Sequence, residues 1–184
     1  MHPGRETSAS SRRVFYTIGH STRSFEEFVA LLQSGGIELL VDVRSIPRSR
    51  TNPQFNLDTL PAELRRHDIG FEHLAELGGR RGRVATDSPN TFWENASFRN
   101  YADYAATEPF RRGLARLRGL GETRQTAIMC AEAVWWRCHR RIIADYLISA
   151  GETVLHILAP GKVEPAKLTP AAHEGSDGSL IYSK

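Results

Sequence analysis

Lysine is almost missing from this chain. Only Lys162, Lys167 and Lys184 occur, so 21 of the 24 basic residues are arginine. Cysteine is scarcer still: 184 residues contain Cys130 and Cys138 and no other. Two thiols without a Cys-x-x-Cys pair exclude a disulfide-stapled scaffold and fit a reducing compartment, so a cytoplasmic location is expected. No apolar run approaches the roughly 20 residues that span a bilayer, so no membrane partner is expected. The polar stretch Met1 to Ser11 lacks the apolar stretch of a secretory signal. Neither a Walker-type loop nor a dinucleotide fingerprint is present, and no cofactor is expected. No repeat and no Pro-, Gly- or Ser-rich linker divides the chain. Residues 1–12 are expected to be disordered, and residues 13–184 to form a single α/β domain.

What remains is ordinary for a globular protein: 40% hydrophobic residues, 24% charged, net charge +3. The arginine bias has two readings. One is GC-rich codon usage. The other is a surface that grips phosphate, because a guanidinium holds two oxygens at once.

The pattern alternates between strands and helices. Val14–Ile18 is β-branched and aromatic. Ser24-Phe25-Glu26-Glu27 has capping-box spacing, and Phe28, Leu31 and Leu32 supply an apolar helical face that stops at Gly35-Gly36. Strands are expected at 38–43, 69–74, 125–129 and 153–158. Helices are expected at 57–67, 101–106, 109–120 and 134–149. The stretch 78–95 reads as loop, and the tail from Ala159 reads as irregular. Short turns between strand and helix imply parallel crossovers. The expected fold is a layered open, mainly parallel sheet flanked by helices on both faces; a closed eight-fold barrel needs about 250 residues.

Parallel sheets collect chemistry at the carboxyl ends of their strands. There the sequence places His20 and Ser21 after the first strand, Asp42 and Arg44 at the end of the second, and Cys130 and Glu132 after the fourth, with Arg137, Cys138, His139 and Arg140 close behind. Cys130 is the leading candidate nucleophile, since a helix N-terminus and nearby arginines stabilise a thiolate; otherwise it is a small buried apolar residue. Cys138 is a candidate resolving thiol or a core residue. Glu132 is a general acid or base, or a helix cap. His20 is a candidate proton carrier. Asp42 ends an apolar strand and needs a buried partner, with Arg44 or Arg140 as candidates. The loop 44–55 adds Arg48 and Arg50, which with Ser21, Arg44, Arg137, His139 and Arg140 form a candidate anion-binding set, and Arg80, Arg81 and Arg83 extend this rim. Cys130, Cys138, His139 and His20 are admissible zinc ligands, but neighbours on a helix point about 100° apart, so no metal is expected. A phosphatase cradle needs five residues between Cys and Arg, whereas six separate Cys130 from Arg137.

Several stretches in order closely resemble an uncharacterised bacterial and archaeal family, domain of unknown function number 488. They are Thr17-Ile18-Gly19-His20-Ser21, Val41-Asp42-Val43-Arg44, Asn52-Pro53-Gln54-Phe55, Leu77-Gly78-Gly79, Phe98-Arg99-Asn100-Tyr101-Ala102, Met129-Cys130-Ala131-Glu132 and Trp136-Arg137-Cys138-His139-Arg140. The resemblance covers about residues 14 to 170. It implies the fold and the site but no activity. The family tail usually carries a His-Pro-Leu-Thr-like segment, where this chain reads Ala166-Lys167-Leu168-Thr169. The Asp-Val-Arg strand and the later Cys-ended strand also look like a distant echo of rhodanese-like domains, without their Gly- or Ser-containing active loop.

Three functions compete at this stage. One is a cysteine-centred enzyme acting on a small anionic or electrophilic substrate. The second is a nucleic-acid-associated protein whose arginine rim holds phosphates while Phe55, Trp93 or Trp136 stacks on bases. The third is a noncatalytic binding domain with core cysteines.

Overall fold

The computed structural model describes residues 12–184, so all but the last residue of the expected disordered segment lies outside the described residues. Six strands form one sheet: β1 Val14–Gly19, β2 Leu39–Asp42, β3 Gly70–His73, β4 Thr126–Cys130, β5 Thr153–Ala159 and β6 Lys162–Pro165. Their order is β3-β2-β4-β1-β5-β6. All neighbours pair in parallel except β5 and β6. The helices are α1 Phe25–Ser34, α2 Leu60–Arg65, α3 Ala96–Ala105, α4 Glu108–Leu120 and α5 Arg140–Ser149. The architecture is the expected α/β sheet, mostly parallel.

Alternation along the strands builds two cores. Ile18, Leu40, Ala127 and Met129 pack with Phe28 and Leu32 of α1 and Leu60 and Leu64 of α2. Phe15, Leu39, Val41 and Ile128 pack on the other face with Tyr101 of α3, Phe110 and Leu117 of α4, and Ile142 and Ile143 of α5. Each of the large aliphatic and phenylalanine side chains among them stabilises the fold by about 1.5–3 kcal/mol through burial. The capping box is present: Glu27 N–H donates to Ser24 Oγ at 3.1 Å, and Ser24 N–H donates to the Glu27 carboxylate at 3.3 Å.

Some boundaries differ from the sequence expectation, each for a local reason. The helix expected from Leu57 starts only at Leu60, with Pro61 in its first turn. The one expected from Tyr101 starts at Ala96, because Asn95 caps it by accepting from the N–H groups of Ser97 and Phe98. The helix expected from Val134 is replaced by a single 3-10 turn at Trp135–Arg137, followed by extended Cys138, and α5 opens only at Arg140. The tail is not irregular. It forms β6 and the antiparallel hairpin β7 Ala172–Glu174 with β8 Leu180–Tyr182.

The hairpin docks onto α5 and the long loop. Buried Asp145 accepts from Thr169 N–H at 2.8 Å and from Tyr182 O–H at 3.0 Å. Tyr182 N–H donates to Asn90 Oδ1, and Asn90 donates to Asp103.

Connections leaving β1 and β2 go to the α1/α2 face, while the connection leaving β4 goes to the α5 face. β4 lies between β1 and β2. Chains therefore diverge on both sides of the end of β4, which opens a crevice there.

Candidate active site

A cavity of about 610 Å³ occupies this crevice, and both cysteines line it. Backbone pairing continues past the strand ends to build its floor. His20 N–H donates to Cys130 O and Ser21 N–H to Ala131 O, at 2.9 and 3.0 Å. Ser21 takes a left-handed φ of 50°, a conformation that a non-glycine residue holds only when its surroundings enforce it. Gly19 is required here: a Cβ would lie 1.7 Å from the Glu132 carbonyl oxygen.

Arg140 organises the floor. It is fully buried, at 1% exposure. Its Nε donates to Cys130 Sγ at 3.0 Å, Nη1 to Thr17 Oγ1 at 3.0 Å, and Nη2 to the Glu132 carbonyl at 2.7 Å. None of these partners is a carboxylate. A guanidinium stays charged at any physiological pH, and an isolated buried charge is strongly unfavourable. Among the described residues no ion pair reaches it, and the two sulfurs are the groups that favour its charge.

The two sulfurs are 2.6 Å apart. Cys138 Sγ also accepts from Arg140 N–H at 3.4 Å, in the first turn of α5. Burial alone would raise the Cys138 thiol, but the hydrogen bond from Cys130 and the Arg140 charge outweigh it and bring it down to about 7. Burial and the Cys138 sulfur push Cys130 well above its ordinary value. The pair thus gives up one proton near neutrality and holds the other. Burial opposes the Arg140 charge, while both sulfurs support it, so the stabilisation is mutual.

His139 flanks the pair. Its Nε2–H donates to Val43 O at 2.7 Å, which leaves Nδ1 as a lone pair 3.4 Å from Cys138 Sγ. Burial holds this imidazole below its ordinary value. Gly79 makes room for the ring, since a Cβ there would approach Nδ1 to 2.4 Å. Because Cys138 and His139 precede the helix, their side chains converge instead of pointing apart as helical neighbours do.

His20 has both nitrogens engaged. Nδ1–H donates to Ser21 O at 2.8 Å, and Nε2 accepts from Arg44 at 3.3 Å. Its ring stacks on Phe55 at 4.4 Å. Burial, reinforced by Arg44, lowers its pKa. Arg44 grips Asp42 through Nε and Nη2, at 2.9 and 2.7 Å, and also donates to Phe55 O. The expected Asp42 partner is therefore Arg44, and Asp42 is wholly buried beneath the cavity. The exposed Glu132 lines the cavity, and its carbonyl is the group that holds Arg140.

Of the candidate anion-binding residues, Ser21, Arg44, Arg48, Arg137 and His139 line the cavity, as does Arg80. Arg50 and Arg140 do not line it. Arg81 lies over the Tyr104 ring and bonds Gly78 O, and Arg83 bonds Ala85 O and Thr86 O, so neither faces the cavity. Phe55 and Trp93 are buried in the cores and are not available to stack on bases, whereas Trp136 is 45% exposed.

Sequence reading missed the inner layer. Thr17 Oγ1 and His156 Nδ1 share a hydrogen bond of 2.6 Å, and His156 stacks on Trp135 at 4.5 Å. Burial and the Arg140 charge take His156 down to about 3. The one signal available was polarity in strands that otherwise read as apolar. Among the described residues, no group of three or more His, Cys, Asp or Glu side chains is placed to hold a metal ion, and no helix is long and apolar enough to cross a membrane.

The family model for the domain of unknown function DUF488 matches residues 24–147. The chain belongs to the DUF488 family. In this DUF488 protein the matched stretch runs from the capping Ser24 to Leu147 of α5, so it contains both cysteines, Arg44 and Arg140. No curated protein and no solved structure matches the chain.

Proposed function

We propose that this DUF488 protein is a cysteine-centred enzyme acting on a small electrophilic substrate that carries an anionic group. The observation that carries this reading is the carboxylate-free burial of Arg140 against two touching sulfurs. Such an arrangement favours a thiolate, the nucleophilic form of cysteine. Cys138 is the attacking sulfur. It is the acidic member of the pair, it meets the first turn of α5, and it faces His139 Nδ1. Cys130 is its hydrogen-bond partner. His139 carries a proton between Cys138 and the cavity, while His20 and Asp42 position Arg44. Arg48, Arg80 and Arg137 are exposed or at the cavity edge and supply the charge that selects an anionic substrate.

The experiment is alkylation of the native protein against pH, resolved by peptide mass spectrometry. Cys138 is expected to react with a midpoint near 7, and faster with iodoacetate than its ordinary preference for iodoacetamide allows. If both thiols stay protected until the protein unfolds, they are core residues, and the noncatalytic binding domain is the better account.

Exposed Arg48 and Arg137 on the cavity lining, with exposed Trp136 next to Arg137 in the chain, also favour a second reading as a nucleic-acid surface. It requires salt-dependent binding of a single-stranded oligonucleotide that weakens in Arg48→Ala and Arg137→Ala variants. Absence of binding at low salt removes it.

A further inference from the structure

We infer that the substrate class of this site is a small disulfide bearing a carboxylate or phosphate, and that the two sulfurs act on it in succession. This rests on the cysteine-centred reading above and extends it to a second chemical step. A disulfide bond is about 2.05 Å long. The two free sulfurs are in direct contact, which is where a bonding pair must stand. A resolving thiol must be able to touch the nucleophile, and Cys130 does so while also supplying the hydrogen bond that acidifies Cys138.

The first step is attack of the Cys138 thiolate on one sulfur of R–S–S–R′. A Cys138–S–S–R bond forms, the substrate S–S bond breaks, and R′S⁻ departs. This removes the anion that balanced Arg140. The uncompensated guanidinium still donates through Nε to Cys130 Sγ. Its charge now favours ionisation of Cys130, whose proton leaves with R′S⁻ as R′SH. Cys130 then attacks Cys138 Sγ, the Cys130–Cys138 bond forms, and RS⁻ is expelled. Two electrons pass from the cysteine pair to the substrate disulfide, and two small thiols result. A dithiol from solution restores the pair.

The buried Arg140 therefore sets the order of events: it permits one thiolate at a time and moves that requirement from one sulfur to the next. The substrate's charge is read separately. Arg48, Arg80 and Arg137 line the same cavity, and their side chains form no ion pair among the described residues.

The test is a single turnover of the reduced, full chain without added reductant. The probes are oxidised glutathione, which is anionic, and bis(2-hydroxyethyl) disulfide, which is neutral. Oxidised glutathione is expected to release two thiols per chain and to leave a Cys130–Cys138 linked peptide with no glutathione retained. At low salt it should react at least tenfold faster than the neutral probe, and the excess should shrink in an Arg48→Ala, Arg137→Ala variant. Cys130→Ser should release one thiol and hold glutathione on Cys138. If that variant does not fold, the stoichiometry of the unaltered chain decides alone. A single thiol released with glutathione retained overturns the inference, as does equal reaction with both probes. Failure to react while Cys138 still alkylates with a midpoint near 7 overturns the inference alone and leaves the cysteine-centred enzyme standing. Protection of both thiols overturns both.

Discussion

Replacing Arg140 with methionine separates a charge effect from a packing effect. Methionine retains much of the length of the side chain and its apolar stem but donates no hydrogen bond. Cys130, Thr17 and the Glu132 carbonyl all lose a donor. Removing one partner of a buried ion pair usually destabilises a protein by about 3–5 kcal/mol, because it strands the other charge. Here the other partner is the cysteine pair, which escapes that penalty by taking up a proton. The loss is therefore expected to appear mainly in the titration. Cys138 sits at about 7 against an ordinary value of 9.0. If Arg140 and the pairing it supports supply that difference, Arg140→Met returns the midpoint to 9 or above. Two pH units correspond to about 3 kcal/mol of differential stabilisation, and to roughly a hundredfold drop in thiolate at pH 6. The assay is the alkylation rate of Cys138 on native protein from pH 5 to 10, with circular dichroism as the check on folding. A folded variant with an unchanged midpoint near 7 would refute the assignment of Arg140 as the counter-charge.

Four further outcomes are expected. Gly19→Ala drives a methyl group into the Glu132 carbonyl; a cost of about 3 kcal/mol should lower Tm by roughly 6–12 °C in a thermal melt. Stability should fall on acidification below pH 6.5, because His156 is held near 3 in the folded chain and unfolding lets it bind a proton; His156→Phe should flatten that fall in denaturant titrations. Between pH 7 and 9 the sign is the same, since the depressed Cys138 adds stability that is complete only above its unfolded value, and Cys138→Ala should remove this rise. Asp145→Ala removes the acceptor of Thr169 N–H and Tyr182 O–H, and limited proteolysis should then cut the chain near residues 166–180.

Local chemistry was legible where a few neighbouring residues decide the outcome. Ser24 and Glu27 announced α1, and the apolar runs ending at Asp42 and Cys130 announced strands whose carboxyl ends hold the site. The rest depended on distant partners. Nothing near Trp135 and Trp136 signals a 3-10 turn; stacking of Trp135 on His156 is a contact across the fold. The hairpin in the tail is stabilised by Asn90 and Asp145, which lie 92 and 37 positions from Tyr182. Arg140 read as a rim residue because arginine is ordinarily exposed. Its complete burial, which makes Cys138 acidic, exists only once β1 supplies Thr17.

That last dependence has a consequence for the chain as it is made. Gly19 of β1 lies opposite Cys130 of β4, so a strand completed early waits for one synthesised far later. Such distant pairings form slowly. Until they form, Cys130 and Cys138 belong to an open stretch in which Arg140 is hydrated and the thiols titrate in the ordinary way. The nascent chain thus carries two accessible thiols of ordinary acidity, only a small fraction of them ionised at neutral pH. The lowered Cys138 value arises only as the first strand is captured, so on the cysteine-centred reading proposed above its titration is a readout of completed folding.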